Sequence, residues 1–154
     1  MFNIILFNPQ IPPNTGNIMR LCVNTNSNLF LIEPLGFNLD QKNLRRAKLD
    51  YNLAYKTKIF KDFKSCYKHI NKSNFYFVTK FGEINYSDMD YKKGDTFIFG
   101  SEISGLPKKL IDKYSFPRIF IPMYANSRSI NLCNAVSICV YEGLRQNNFF
   151  TIFE

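Results

Sequence analysis

Short runs of apolar residues alternate along the chain with segments whose apolar residues recur every three to four positions. Runs that are apolar on both faces predict strands buried between helix layers, and the longer spacing predicts amphipathic helices. The alternation therefore predicts an α/β fold, with a mainly parallel sheet sandwiched by helices. Strands are predicted at Phe2–Phe7, Leu29–Ile32, Phe75–Thr79, Thr96–Gly100 and Arg118–Pro122, with a weaker one near Lys56–Phe60.

Helices are predicted between these strands. The first, Asn14–Asn26, follows a Pro-Pro pair, and Asn14 or Thr15 is its expected cap. On the last, the small residues Ala135 and Gly143 permit close approach of another element. No repeat or linker divides the 154 residues, so one domain spanning 1–154 is expected. The other predicted helices are near Gln41–Leu49, Lys61–Ile70, Pro107–Lys113 and Asn131–Gln146.

The net charge of +8, from 20 Lys and Arg against 12 Asp and Glu, favours a polyanionic partner such as nucleic acid. Abundant Lys, Asn, Ile, Phe and Tyr also indicate a biased genome composition, which raises lysine content without any function. Charge alone leaves both interpretations open. No apolar run reaches membrane-spanning length, and the N-terminal run is typical of a buried strand rather than a signal peptide. A cytoplasmic protein without membrane contact is expected.

The cysteines and the single histidine restrict the chemistry. Cys22, Cys66, Cys133 and Cys139 show neither CxxC nor metal-ligand spacing, so buried thiols in a reducing compartment are expected. His69 is the only histidine and is predicted on an exposed helix face. One histidine excludes a multi-histidine metal site and argues against a Ser-His-Asp triad. The chemistry is therefore expected to need neither histidine nor metal.

Three loops that follow predicted strands are rich in Gly, Pro, Asn and Ser: Asn8–Gly16, Gly100–Leu106 and Pro122–Asn131. Ligands of parallel α/β sheets bind beyond the carboxyl ends of the strands, which makes these loops candidate binding elements. The first loop matches neither GxGxxG nor a P-loop, so a dinucleotide or nucleotide-phosphate motif is not supported.

Each loop also has a purely structural interpretation. Arg20 lies on an otherwise apolar helix face and can extend to solvent. Glu102 can satisfy exposed helix-end donors, and Ser129 or Asn131 can cap the last helix. A cap accounts for one polar residue of the third loop and not for its whole cluster of amides and hydroxyls.

The segments "NTGNIMR", "GSEISGLP" and "IPMYANSRSINLCNAVSICVYE" resemble the three motifs of the SPOUT RNA methyltransferases. The resemblance covers nearly the whole chain. With "IEPLGF" (Ile32–Phe37) and "LRRAKLDY" (Leu44–Tyr51), it is strongest to the minimal TrmL-type tRNA (cytidine/uridine-2′-O)-methyltransferases. It implies a SPOUT fold with a deep C-terminal trefoil knot, an S-adenosylmethionine site within the knot, and an obligate homodimer. The partner subunit would supply part of each active site, with the first and last helices at the interface.

The resemblance also implies roles for particular residues. Arg20 is the expected catalytic residue, either as a base assisted by a tRNA phosphate or by holding that phosphate and polarising the hydroxyl. Asn14, Ser129 and Asn131 would complete the hydrogen-bond network. The expected S-adenosylmethionine site comprises Val78, Thr79, Gly100, Gly105, Ile121, Met123, Ser129 and Leu132.

The implied reaction is methyl transfer to the ribose 2′-hydroxyl of the wobble nucleotide, C34 or U34, of leucine tRNAs. No separate RNA-binding domain is evident, so tRNA is expected on the dimer surface. Ser101 and Ser104 stand where relatives often have Pro and Arg, which puts one substrate contact in question. Two alternatives stay open: 2′-O-methylation at another tRNA or rRNA position, and a non-catalytic RNA-binding knot protein. The candidate RNA-binding residues are Arg20, Arg45, Arg46, Lys48, Lys108, Lys109 and Arg128.

Overall fold

The computed structural model describes residues 2–38, 57–70 and 73–149. Seven strands lie in these ranges, and they form one sheet in which every ladder is parallel. The strands are β1 (Asn3–Phe7), β2 (Asn28–Ile32), β3 (Thr57–Phe60), β4 (Phe75–Val78), β5 (Ile84–Asn85), β6 (Thr96–Phe99) and β7 (Arg118–Phe120). Their spatial order is β3-β2-β1-β6-β4-β7-β5.

Four α-helices lie in the same ranges: α1 (Pro12–Asn24), α2 (Phe63–His69), α3 (Lys108–Tyr114) and α4 (Leu132–Gln146). They agree with the four helices predicted for these parts of the chain, with ends shifted by one or two residues. The helix predicted near Gln41–Leu49 and the Leu44–Tyr51 motif lie outside the described residues. Strand β5 was not predicted, because two residues are too short to show a hydrophobic period.

Side chains alternate between the two faces of the sheet and divide the core in two. On β1, Ile4 and Leu6 join a cluster with residues of α1 and α4. Ile5 faces the other way and joins a cluster with residues of α2, against which α3 also packs. The sheet is therefore sandwiched between two helix pairs, which confirms the predicted α/β architecture.

The C-terminal helix approaches the sheet closely at Gly143. A Cβ atom at this position would stand 2.6 Å from Cζ of the fully buried Phe2. This confirms the predicted use of a small residue on α4 for close packing. The deep knot, the single-domain organisation and the homodimer stay predictions.

Parallel pairing brings the carboxyl ends of the central strands together. Val78 on β4 is paired with Phe99 on β6 and with Ile119 on β7, while Leu6 on β1 is paired with the same Phe99. The loops that leave these four strands therefore emerge side by side. They include the three loops singled out in the sequence.

Candidate active site

A cavity of about 850 Å³ opens at the carboxyl ends of β4, β6 and β7. Its walls come from the segments that follow these strands, from the first turn of α4 and from the start of α1. All eight residues of the predicted S-adenosylmethionine site line it. They are Val78, Thr79, Gly100, Gly105, Ile121, Met123, Ser129 and Leu132.

The lining combines apolar walls with charges of both signs. Val78, Phe99 and Leu132 contribute apolar surface. Lysines and an arginine lie at the cavity beside carboxylates, and these charged lining residues are Lys80, Lys108, Arg118, Glu102 and Asp112. Small-molecule sites of this volume usually pair an apolar enclosure with a few placed polar groups. The cavity thus suits a ligand with a planar apolar part and a zwitterionic part.

Two glycines shape the loop after β6. A Cβ atom at Gly100 would stand 2.1 Å from the carbonyl carbon of Gly105 and 2.3 Å from the backbone nitrogen of Leu106. Gly105 has a φ of +68°, a conformation that side chains disfavour, and its N–H donates to the Ser101 carbonyl over 2.9 Å. The loop folds back onto the end of its own strand, and only glycine fits at position 100.

Glu102 links the second loop to the first helix. Its carboxylate accepts hydrogen bonds from the Gln10 N–H (2.8 Å), the Ile11 N–H (3.2 Å) and the Asn14 side-chain amide (3.1 Å). A carboxylate at a helix N-terminus also interacts favourably with the helix dipole. The structural interpretation of Glu102 as an acceptor for helix-end donors is therefore confirmed, with α1 as the helix concerned.

The prediction that Asn14 or Thr15 caps α1 was wrong. The helix begins at Pro12 rather than at Asn14, Ile11 occupies the N-cap position, and that side chain makes no capping bond. Glu102 supplies the acceptor instead, and Pro12 and Pro13 have no N–H to satisfy. The Asn14 side chain is thereby available to bond Glu102 and Asn131 instead of capping the helix.

Asn131 performs two tasks at the start of α4. Its side-chain oxygen accepts from the backbone N–H groups of Cys133 (2.9 Å) and Asn134 (3.4 Å), which confirms it as the N-cap. Its amide donates to the side-chain oxygen of Asn14 over 3.0 Å. Glu102, Asn14 and Asn131 thus form one hydrogen-bonded chain across the three loops, and Asn14 and Asn131 both line the cavity.

Removing the Glu102 carboxylate is expected to destabilise the contact between the loop after β6 and the start of α1. Glu102→Ala leaves the Gln10 and Ile11 N–H groups without their acceptor, so the free energy of unfolding should fall by about 2 kcal/mol. Glu102→Gln keeps one acceptor oxygen and should cost about 1 kcal/mol. Urea denaturation measures both values, with Glu33→Gln on an exposed carboxylate as the matched control. Wild-type stability of Glu102→Ala would contradict the assigned cap.

The predicted catalytic and RNA-binding residues are not all at the cavity. Arg20 is exposed on α1 and does not line the cavity of its own chain, and it makes no ion pair or hydrogen bond with residues of the described ranges. Lys108 lines the cavity, whereas Lys109 and Arg128 are exposed outside it. The remaining three candidates, Arg45, Arg46 and Lys48, lie outside the described residues.

Several lining residues were not predicted. Lys80 and Phe81 follow β4, and the Lys80 ammonium lies 4.9 Å from the centre of the Phe81 ring. Arg118 begins β7 and forms an ion pair with Glu83. Lys80 and Phe81 directly follow a predicted strand, and this was the available signal for them, since neighbouring strand ends share one edge of a parallel sheet. Arg118 lies at the amino end of its strand and gave no such signal.

The cysteines show no sign of thiolate chemistry. Cys22, Cys66 and Cys139 are buried, as predicted, whereas Cys133 is half-buried. Burial raises the pKa of the Cys66 thiol to about 12 and also raises the pKa of Cys133 and Cys139. These three thiols are therefore protonated near neutral pH. His69 is exposed on α2, as expected, with its ring 5.3 Å from that of Phe60.

Within residues 2–38, 57–70 and 73–149, no three His, Cys, Asp or Glu side chains are grouped as metal ligands. None of the helices described is both long enough and apolar enough to cross a membrane.

Comparison with known proteins shows relatives that match nearly the whole chain. A tRNA (cytidine(34)-2′-O)-methyltransferase of Escherichia coli strain K12 is 45% identical over 147 residues, covering 95% of this chain and 94% of the relative. A structure of a candidate RNA methyltransferase from Bacillus anthracis superimposes with a TM-score of 0.92 at 38% identity, covering 100% of this chain and 99% of that one.

Another solved structure, concerned with 2′-OH methylation of C/U34 on tRNA, has a TM-score of 0.88 at 33% identity and covers 96% of this chain and 97% of that one. The SpoU rRNA methylase family matches residues 1–141. This match confirms the resemblance that the three loop motifs indicate. The chain therefore belongs to the SpoU rRNA methylase family.

Proposed function

We propose that the protein transfers the methyl group of S-adenosylmethionine to the ribose 2′-oxygen of nucleotide 34, C or U, in leucine tRNAs in the cytoplasm. The observation that carries this proposal is the cavity at the carboxyl ends of β4, β6 and β7, which collects all eight residues of the predicted methyl-donor site. The full-length similarity to a tRNA (cytidine(34)-2′-O)-methyltransferase supports the choice of substrate.

The residues at the cavity fit S-adenosylmethionine, which supplies an electrophilic methyl group when bound. Val78, Ile121 and Leu132 would enclose the planar adenine, whose polar edge backbone groups of the loops can bind. Cations and carboxylates of the lining would face the aminocarboxylate end. The Glu102–Asn14–Asn131 chain would hold the three loops in a fixed relation, which keeps donor and acceptor aligned.

The methyl acceptor is a ribose hydroxyl, a weak nucleophile that needs orientation and removal of its proton. Arg20 is our candidate for orienting it, since a guanidinium can bind a phosphate bidentately and polarise the adjacent hydroxyl. Arg20 does not line the cavity of its own chain. We therefore place it at the cavity of a partner subunit in a homodimer, with α1 and α4 contributing to the interface.

In-vitro methylation tests the reaction class. The purified protein is incubated with isotopically labelled S-adenosylmethionine and separate pools of tRNA and ribosomal RNA. Label in tRNA alone is expected. Label in ribosomal RNA would move the substrate to the one named in the family's description.

Calorimetric titration with S-adenosylmethionine separates the enzyme from a non-catalytic RNA-binding protein. Saturable binding at one site per chain is expected. RNA binding without any heat from S-adenosylmethionine would overturn the proposed reaction.

A further inference from the structure

Lysines are concentrated on the two helices that cover one face of the sheet. The segments 61–70 and 107–114 contain six lysines and two aspartates. On α2, Lys64 and Lys68 are one helical turn apart, about 6 Å along the axis, and Lys61 directly precedes the N-cap residue Asp62. All three are exposed, while Phe63 and Cys66 of α2 face the core. The α2 lysines thus form a stripe on the outer side of the helix.

Aromatic contacts hold α2 and α3 together as one surface. The Tyr114 ring of α3 lies 4.8 Å from the Phe63 ring and 5.3 Å from the Tyr67 ring of α2, measured between centroids. At its other end, α3 reaches the cavity, which Lys108 and Ile111 help to line. Helix α3 therefore contacts α2 at one end and lines the candidate active site at the other.

The lysines of this surface outnumber its carboxylates by six to two, and of these two Asp62 interacts electrostatically with Lys61 and Lys64. Within the described ranges the ion pairs involve Arg118 and Arg145, and the six lysines of α2 and α3 take part in neither. Of the two aspartates, Asp62 accepts the Ser65 N–H as the cap of α2, and Asp112 faces the cavity. Unpaired lysines along a helix attract a polyanion through its phosphates, and each such contact releases counterions.

We propose that the lysine stripe of α2 (Lys61, Lys64 and Lys68), together with Lys108, Lys109 and Lys113 of α3, binds the phosphate backbone of the substrate tRNA. This inference rests on the proposed function, since it extends the nucleotide-34 site outward along the same face. The lysines position the RNA without reading its sequence, because ammonium groups contact phosphates as point charges.

The double variant Lys64→Gln/Lys68→Gln tests the surface. The affinity of the full chain for a leucine tRNA transcript is measured across a salt series. The logarithm of the association constant decreases with the logarithm of the salt concentration, and the magnitude of this slope should be smaller by about 1.5 in the variant. Its affinity at about 0.1 M salt should be about tenfold or more below that of the wild type. The melting temperature, S-adenosylmethionine affinity and kcat at saturating tRNA should be unchanged, while KM for tRNA rises.

Lys92→Gln/Lys93→Gln is the matched control. It removes two exposed lysines from the turn before β6, which lies at the amino end of that strand, whereas the cavity lies at the carboxyl end. This control should keep the wild-type salt slope. An α2 variant that binds tRNA like the control would overturn the proposal and leave these lysines as a solvated face. Equal losses in both would also overturn it, since net charge alone would then explain binding.

The salt dependence of tRNA binding can be measured whether or not the protein methylates the RNA. Wild-type protein that binds tRNA through this surface and methylates nothing would therefore refute the proposed function and support the surface.

Discussion

Gly100→Ala is expected to abolish useful binding of S-adenosylmethionine. The added methyl group would lie 2.1 Å from the Gly105 carbonyl carbon, so the loop that closes the cavity has to move away from the end of β6. Both clashing partners are backbone atoms, which cannot rotate aside as a side chain can. Such overpacking costs about 3 kcal/mol. If this cost falls on the bound state, affinity drops about 100-fold. Calorimetric titration measures the loss.

Gly94→Ala provides the control for this experiment. Gly94 has a positive φ of +99°, unlike Gly100, and a Cβ atom there would meet no atom within 4 Å. This variant should lose a little stability and keep wild-type affinity for S-adenosylmethionine. If Gly100→Ala also kept it, the loop after β6 would not be part of the methyl-donor site.

Arg20→Ala is expected to lower kcat by about 10²- to 10³-fold, the usual loss when one group that stabilises the reacting charge is removed. Arg20→Lys should recover only part of the rate, since an ammonium cannot replace a bidentate guanidinium. S-adenosylmethionine affinity should change little, because the contacts proposed for Arg20 are with the tRNA phosphate and the ribose hydroxyl and not with the methyl donor. Steady-state kinetics on leucine tRNA measures the effect. Near-normal turnover would remove Arg20 from the mechanism.

Mixing two inactive variants tests whether Arg20 acts across subunits. Met123→Trp fills the cavity from a half-buried lining position and leaves Arg20 intact, whereas Arg20→Ala leaves the cavity intact. If Arg20 serves the partner's cavity, the mixed dimer has one complete site and activity reappears on mixing. If Arg20 served its own chain, no complete site would form and the mixture would stay inactive.

Much of the fold is visible in local sequence. The buried strands are apolar on both faces, and the helices between them keep their period, so their positions could be predicted. Strand β5 could not, because Ile84 and Asn85 are defined by pairing with β7 and not by a pattern of their own. The order of the strands likewise depends on long-range pairing.

The candidate site likewise has some residues that could be predicted from the local sequence and others that could not. Residues at strand ends, such as Val78 and Gly100, could be predicted because motif and topology point to the same edge of the sheet. The cap of α1 could not, since the acceptor Glu102 lies 91 residues from Ile11 in sequence. A local rule favours Asn14 as the cap, but a carboxylate from another loop replaces it. The placement of α2 against α3, which lines the cavity, likewise depends on the long-range Tyr114 contacts between the two helices.

The position of the methyl group on the RNA decides whether the protein carries out the proposed reaction. Leucine tRNA is incubated with the purified protein and S-adenosylmethionine, digested to nucleosides and oligonucleotides, and analysed by mass spectrometry, with Arg20→Ala as the parallel sample. A single added methyl group is expected on the ribose of nucleotide 34, and its amount should be strongly reduced in the variant. A methyl group on a base, or on the ribose of any other nucleotide, would contradict the proposed reaction.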